Sequence, residues 1–360
     1  MRGEVNPQGH VFSYFSPEER VAPNHPLRSI KLYADGALKS IRPVLEGMYS
    51  AIGRPSIPPE RLLKSSLLMA LYSVRSDRLF CESLDYNILF RWFLDMSMEE
   101  ASFDASSFSK NRERLVEHEV ALKFFDAVVR EARGLKLLSD EHFSVDGTLI
   151  EAWASMKSFQ KKDGGGSGPD AGGDVDFKGE RRGNDSHASV TDPESRLLRK
   201  GPGKEAKLTF AAHALMDNRH GLITDLSVTP SVGVTEPAAA LALLGRQRKK
   251  HLAPKTVGGD KGYHTREFVA ALRASGIKPH VARKAGHVTP GLDGRTSGSP
   301  GYRISQVVRK RIEQIFGWGK TIGGLRKTRL KGVARTQQSV QLTGAAYNLL
   351  RMSRLCPVVG

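Results

Sequence analysis

The hydrophobic period of the chain changes once, near residue 140, and the change separates two kinds of structure. From Arg61 to Arg75, Leu62, Leu63, Leu67 and Leu71 recur at helical intervals, and similar patterns cover about 77–95, 105–116 and 118–134. Asp104 to Ser107 offers N-cap residues ahead of Phe108 and the charged run Lys110, Arg112, Arg114. From His142 to Leu149 the period is two. Phe143, Val145 and Leu149 alternate with Ser144, Asp146 and Thr148, so one face packs on a core and Asp146 projects from the other. Strand patterns resume at Lys207 to Met216 and Leu222 to Val228, joined by Asp217-Asn218-Arg219-His220-Gly221 as a hairpin. Glu236 to Arg248 reads as a helix, and a short strand through Val257 runs straight into Asp260. Thr265 can cap a helix reaching Ala274, and Ile277 to Val281 suggests a further strand. A Gly/Pro-rich loop, 285–301, then precedes a long helix from about Gln306.

This order predicts a mixed α/β layout with helices packed on a central sheet, over about 140–350, preceded by a helical domain over 59–136. Residues 1–58 are punctuated by prolines at 6, 17, 23, 26, 43, 55 and 58 and are expected to be irregular. Residues 157–205, with "DGGGSGPDAGGD" at their centre, are too polar to order themselves and are expected to be a flexible insertion. The short helices of 59–136 suit either a helix-turn-helix DNA reader, with Arg112 and Arg114 on phosphates, or an ordinary bundle that leaves them solvated.

Charge sharpens the division. Residues 1–140 hold 19 basic and 19 acidic side chains, whereas 141–360 hold 36 against 19, so the whole net charge of +17 lies in the second part. Within 302–331 nine Lys or Arg, among them Arg326, Lys327 and Arg329, face Glu313 alone. A basic half of this kind grips a polyanion, with binding that falls steeply as salt rises. Cys81 and Cys356 are far apart and lack metal-type spacing, which argues against a disulfide framework or a zinc cluster. No apolar run reaches the roughly 20 residues of a membrane helix and no signal-peptide layout is present, so a soluble, cytoplasmic protein is expected.

Three carboxylates carry the candidate chemistry. Asp146 lies mid-strand on the polar face. Asp260 lies where a buried strand ends among Gly258, Gly259 and Gly262. Glu313 shares the polar side of the last helix with Arg309 and Lys320, opposite the stripe Val308, Ile312, Ile315. Carboxylates gathered at one point repel one another and normally need divalent cations, and oxygen-only ligands favour magnesium or manganese. Paired ions of that kind serve in-line attack on phosphodiesters. "GWGKT" from Gly317 mimics a phosphate loop, but Gln314 stands where its first glycine belongs. Lys261 and Tyr263 adjoin Asp260 and suit DNA contact or turn formation equally. His213 and His220 have no partner at metal spacing. Trp318 can stack on a flipped base, or simply join Phe316 in a core.

"SVDGTLIEA", "GDKGY" followed by a helix, and the spacing Arg309-x3-Glu313-x6-Lys320 together resemble the DDE transposases of bacterial insertion sequences. The match is closest to the insertion-sequence-five group. "TDPESRLLRKGPGKEAKLTFAAHALMD", "RKRIEQIFGWGKTIGGLRKTRLKG" and "AAYNLLR" extend the resemblance over most of the chain. It implies an RNase H-like fold in which Asp146, Asp260 and Glu313 are catalytic and bind two magnesium ions. It implies that Arg309 and Lys320 contact DNA near the cleaved phosphate. It also implies binding of terminal inverted repeats, hydrolysis at the element's ends, transfer of the 3′-hydroxyls into target DNA, and at least a dimer on DNA, at the nucleoid. The group's tyrosine three residues before the arginine is replaced by Gln306, with Tyr302 nearby but out of register. A DNA-binding regulator without catalysis and a metal-dependent nuclease without strand transfer stand as the alternatives.

Overall fold

The computed structural model describes residues 14, 16–50, 52–53, 55–139, 141–162, 182–201 and 203–357. The helical part comprises α1 (Pro17–Arg20), α2 (Pro26–Glu46), α3 (Pro59–Leu71), α4 (Asp77–Ser83), α5 (Ile88–Phe93), α6 (Ala105–Glu117) and α7 (Val120–Gly134). There follow β1 (His142–Glu151), β2 (Phe159–Lys161), β3 (His187–Ser189), β4 (Arg196–Arg199), β5 (Ala206–Asp217) and β6 (Leu222–Pro230). Next come α8 (Glu236–Lys249), β7 (Thr256–Gly259), α9 (Arg266–Ala274) and β8 (Lys278–Val281). The chain ends with α10 (Gly294–Ser297), α11 (Pro300–Val308), α12 (Ile312–Thr321) and α13 (Val333–Leu355).

The sheet runs β4-β5-β1-β7-β8, with β6 also paired to β5. β1, β5 and β6 are antiparallel, whereas β7 and β8 lie parallel to β1. An antiparallel meander continued by two parallel strands, with helices on both faces, is the RNase H-like layout. Strict alternation on β1 produces the two faces. Val145 and Phe143 enter one core with Leu243, Val257 and Phe268, while Ile150 enters the other with Phe210 and Leu226.

Several sequence expectations need correction. Residues 1–58 are not irregular throughout, because α2 alone spans 21 residues. Pro26 occupies its first turn, where proline is tolerated, and the His25 ring accepts a hydrogen bond from Leu27 N–H. Pro43 falls in its last turn, so proline here marks the helix ends. Nor is 59–136 separately packed. Leu27, Leu63, Phe80, Phe108 and Phe125 belong to the same core as Phe210, Ile315 and Leu349.

The insertion is partly built into the fold, although 163–181 lies outside the described residues. β4 pairs along β5, and Asn184 clamps Leu197, accepting from its N–H and donating to its carbonyl, both at 2.8 Å. Asp192 and Glu194 accept hydrogen bonds from Gly332 N–H and Val333 N–H, satisfying the exposed amides at the start of α13. Finally, the helix expected from Gln306 starts six residues earlier, at Pro300, capped by Ser299. It tightens into a 3₁₀ turn over Arg309–Arg311 before α12.

α13 ties the halves together, packing on α2, α3, α7 and β6. Asn348 accepts from Ile223 N–H at 2.9 Å and donates to Ile223 C=O at 2.7 Å, beside the register shift where β5 passes Leu215 and Met216. Gly344 sits at the closest approach: a Cβ there would fall 2.3 Å from Leu226 Cδ1 and 3.3 Å from Phe125 Cε2. Gly344→Ala gains about 1 kcal/mol of helix propensity, but overpacking typically costs about 1–3 kcal/mol. A net loss on the order of 1 kcal/mol is expected in urea unfolding, opposite to the gain that glycine replacement gives in an exposed helix.

Candidate active site

Strand register brings the aspartates together. β1 and β7 pair in parallel from His142↔Thr256 to Ser144↔Gly258. Asp146 therefore lies two residues beyond the last paired position on β1, and Asp260 follows the last residue of β7. Asp146 Oδ1 accepts a hydrogen bond from Gly147 N–H at 2.8 Å. Asp260 caps the 3₁₀ turn Lys261–Tyr263, its Oδ1 accepting from Gly262 N–H at 2.7 Å. Beneath that turn the Tyr263 ring is buried, and a Cβ on Gly259 would stand 3.2 Å from it. Gly259 thus makes room for an aromatic floor.

α12 packs against β1 and presents Glu313 in its exposed first turn. The electrostatics register the convergence. Burial raises the Asp146 carboxyl to about 6; the Gly147 N–H opposes the rise, and the like charges of Asp260, Glu236 and Glu313 add to it. At the far end of α12, Lys320 Nζ donates to Thr148 Oγ1 at 2.6 Å, two residues along β1 from Asp146. Burial lowers the Lys320 ammonium pKa, helped by the positive charges of Lys200 and Arg326.

Gln306, in the position of the expected tyrosine, accepts from Arg309 Nε at 2.9 Å and donates to the His280 carbonyl at 2.5 Å. It anchors the arginine to β8, while Tyr302 donates to Val281 C=O at 2.9 Å on the same strand. Arg309 also passes over β7, since a Cβ on Gly258 would lie 3.4 Å from its Cβ.

The remaining cationic candidates separate into two groups. Arg326, Lys327, Arg329 and Lys320 line a cleft of about 680 Å³ between the helical part and the central sheet, with Trp153 also in its lining. Its inner wall is fixed to β1: Glu151 N–H donates to Arg326 C=O at 3.1 Å, and Thr328 N–H to Glu151 C=O at 2.8 Å. Lys261 is exposed next to Asp260. The other group departs from expectation. Arg112 lines the cleft but is committed to Asp77 at 2.5 Å, with its guanidinium over the Phe108 ring. Arg114 lies over Tyr49 and does not line the cleft. Both thus make contacts within the helical part. Trp318 packs edge-on against Tyr347, which favours its core role.

Two family models match the chain: a transposase domain (DUF772) over residues 15–114, and the transposase DDE domain over residues 168–349. The second covers half the chain. The chain belongs to the transposase DDE domain family.

Solved transposase structures resemble it loosely. A piggyBac transposase synaptic complex with hairpin DNA is 12% identical, with a TM-score of 0.41 over 94% of this chain and 77% of that one. A Mos1 transposase paired-end complex with left transposon end is 11% identical, with a TM-score of 0.20 over 90% and 98% of the two chains. At such scores no structural detail carries across. Transposase DDE membership is nonetheless consistent with a donor set made only of carboxylate oxygens, whose mutual repulsion adds to the burial that raises Asp146. As they stand, no three acidic, histidine or cysteine side chains among the described residues are gathered closely enough to hold a metal. Asp146 and Asp260 are turned onto neighbouring amides. The donor chemistry and the unbalanced charge fit divalent cations; closing the site requires side-chain rotation.

Sequence reading missed Glu236, the first residue of α8 in this transposase. A Cβ on Gly147 would lie 2.9 Å from its Oε1, and one on Gly262 would lie 3.6 Å from its Oε2. Withdrawal from water raises its carboxyl, and so does the charge of Asp260. His213, opposite Gly147 in the β1–β5 register, is buried; burial pushes it down to about 4 and keeps it neutral. The sequence signal available for both was the glycine after Asp146, which no β-strand preference explains.

Proposed function

We propose that this chain is a DNA transposase of the insertion-sequence-five type. On this reading it binds its element's terminal inverted repeats, hydrolyses the end phosphodiesters and joins the 3′-hydroxyl ends to target DNA. The observation that carries the reading is the placing of Asp146 on β1 beside Asp260 at the end of β7, with Glu313 and Lys320 on the helix packed against β1 and the charges of Asp260 and Glu313 both felt at Asp146. Magnesium, or manganese in its place, held by those carboxylates would supply Lewis acidity for in-line phosphoryl chemistry.

The chain's own residues account for the rest. Arg309, fixed through Gln306 to β8, and Lys320, fixed to Thr148, bring two positive charges to the scissile phosphate with little freedom left to lose. Arg326, Lys327 and Arg329 on the cleft wall, with Lys261 beside Asp260, would follow the DNA backbone. Because water and a DNA hydroxyl serve in turn as nucleophile, no covalent enzyme intermediate is needed. Two ends must be brought together, so a dimer or larger assembly on DNA is expected. No helix among the described residues is long and apolar enough to cross a membrane, and action at the nucleoid suits a DNA substrate.

The test is incubation of the protein with DNA carrying the element's own ends, in magnesium and in EDTA. Metal-dependent nicking plus joined products would uphold the reading. Nicking without joining would indicate a nuclease, and binding without nicking a regulator. In the same assay, Lys320→Ala should lower the slope of log affinity against log salt by about one. Affinity should fall about equally for every end sequence.

A further inference from the structure

We propose that Glu236 is a fourth carboxylate of the catalytic centre, a ligand to the divalent cation, and that His213 is the residue that positions it. The inference rests on the triad reading above and extends the site to an element that the Asp-Asp-Glu pattern does not include.

The first observation is spatial. Glu236 reaches from the start of α8 across the two glycines that follow the catalytic aspartates. Its Oε1 stands 2.9 Å from where a Cβ on Gly147 would be, and its Oε2 stands 3.6 Å from the corresponding point on Gly262. That second point lies 2.9 Å from Asp260 Oδ1. The carboxylate therefore stands over Gly147, the residue after Asp146, and beside Asp260. A side chain at Gly147 would intrude on the Glu236 carboxylate, and one at Gly262 on that of Asp260.

The second observation excludes the usual duties of such a residue. An acidic group in a first helical turn commonly caps the helix or complements its dipole. Here the cap is already supplied by Thr235, whose Oγ1 accepts from Ala238 N–H at 3.3 Å. Among the described residues the Glu236 carboxylate accepts no hydrogen bond and faces no cation in an ion pair. It is solvent-exposed and lies beside the like charge of Asp260, a repulsion that a bound cation would relieve.

The third observation is independent of the acids. His213 is 2% exposed, and its Nδ1 has no hydrogen-bond partner. That nitrogen lies 3.3 Å from the same point above Gly147 that Glu236 Oε1 approaches, while Nε2 sits 3.1 Å from Thr229 Oγ1. A buried ring nitrogen left unpaired costs about 1–3 kcal/mol. A small rotation of Glu236 lets Nδ1–H donate to one oxygen and leaves the other directed at Asp260. A histidine donating to a liganding carboxylate fixes the orientation of that ligand.

The experiment is calorimetric titration of Mn2+ into the full-length protein without DNA, comparing wild type, Glu236→Gln, Glu236→Asp, His213→Gln and the Glu236→Gln/His213→Gln double variant. Asp260→Asn is the reference. Glu236→Gln should weaken Mn2+ binding at least tenfold, Glu236→Asp should recover part of it, and His213→Gln should weaken it less. The double variant should be no weaker than Glu236→Gln, since a residue acting through Glu236 adds nothing once Glu236 is gone. Should Glu236→Gln fail to fold, Gly147→Ala displaces the same carboxylate and should produce the same loss. Wild-type affinity in Glu236→Gln with loss in Asp260→Asn would overturn this inference and leave the triad standing. Unchanged binding in both would overturn the triad reading and this one with it.

Discussion

Asp260→Ala should abolish cutting and joining while leaving end recognition intact. The substitution removes the carboxylate at the end of β7, which neither Asp146 on β1 nor Glu313 on α12 duplicates. Loss of a metal-anchoring group removes transition-state stabilisation that binding elsewhere cannot replace, so a rate loss of about a thousandfold or more is expected. Folding should survive. Asp260 caps only a three-residue turn, and the core under it, Tyr263 with Phe268 and Val257, is apolar and untouched. Gel-shift affinity for the element's ends, measured in EDTA, should stay within a few-fold of wild type, because the proposed phosphate contacts lie on Arg309, Lys320 and the cleft wall. A variant that lost end binding and cutting together would place Asp260 in DNA recognition and undermine the catalytic assignment.

The sheet was legible in the sequence wherever apolar and polar residues alternated or apolar runs met a turn. β1 alternates cleanly, so Asp146 was visible as a polar residue on a half-buried strand, and β5–β6 announced themselves by the turn between two apolar runs. Asp260 was legible because β7 is short, apolar and closed by glycines. The elements that escaped did so for identifiable reasons. α2 was hidden by its prolines, which stand at its ends. β4 was hidden in a polar stretch because it is an edge strand held by Asn184 and not by apolar burial. α13 is packed on several sides and buries Thr336, Gln341 and Asn348 along with Leu349, so it shows no apolar stripe. Glu236 was beyond reach of any spacing rule. Its place beside Asp146 and Asp260 comes from the packing of α8 and from a β1–β5 register that sets His213 opposite Gly147, and neither is encoded locally. The Arg112–Asp77 pair was likewise out of reach, since a basic residue on a polar helix face looks free until Asp77 is seen against it.

The four-carboxylate centre also predicts a trade between stability and function. Asp146→Asn should make the metal-free protein more stable at neutral pH while inactivating it. Asp146 has a folded-state pKa of about 6, raised above the unfolded value mainly by burial. Between roughly pH 4 and 6 the native state therefore binds more protons than the unfolded chain, so this group's contribution falls as pH rises through that window. Its deficit is complete above 6. For a partly buried group, a discounted figure on the order of 2 kcal/mol follows. The whole-protein curve will not reveal it directly. His213 and His280, both pushed down to about 4 by burial, act in the opposite direction, with stability rising as pH climbs toward the ordinary histidine range. Subtracting the variant's urea-unfolding free energy from that of wild type at each pH isolates the carboxylate. The difference should grow from near zero at pH 4 to its full value by pH 7, in favour of the variant. Magnesium should then reverse it, stabilising wild type and leaving Asp146→Asn almost unmoved, because only a complete carboxylate set converts repulsion into cation binding. A variant less stable than wild type at pH 7 in EDTA would mean that Asp146 is held by favourable contacts and not strained by its acidic neighbours.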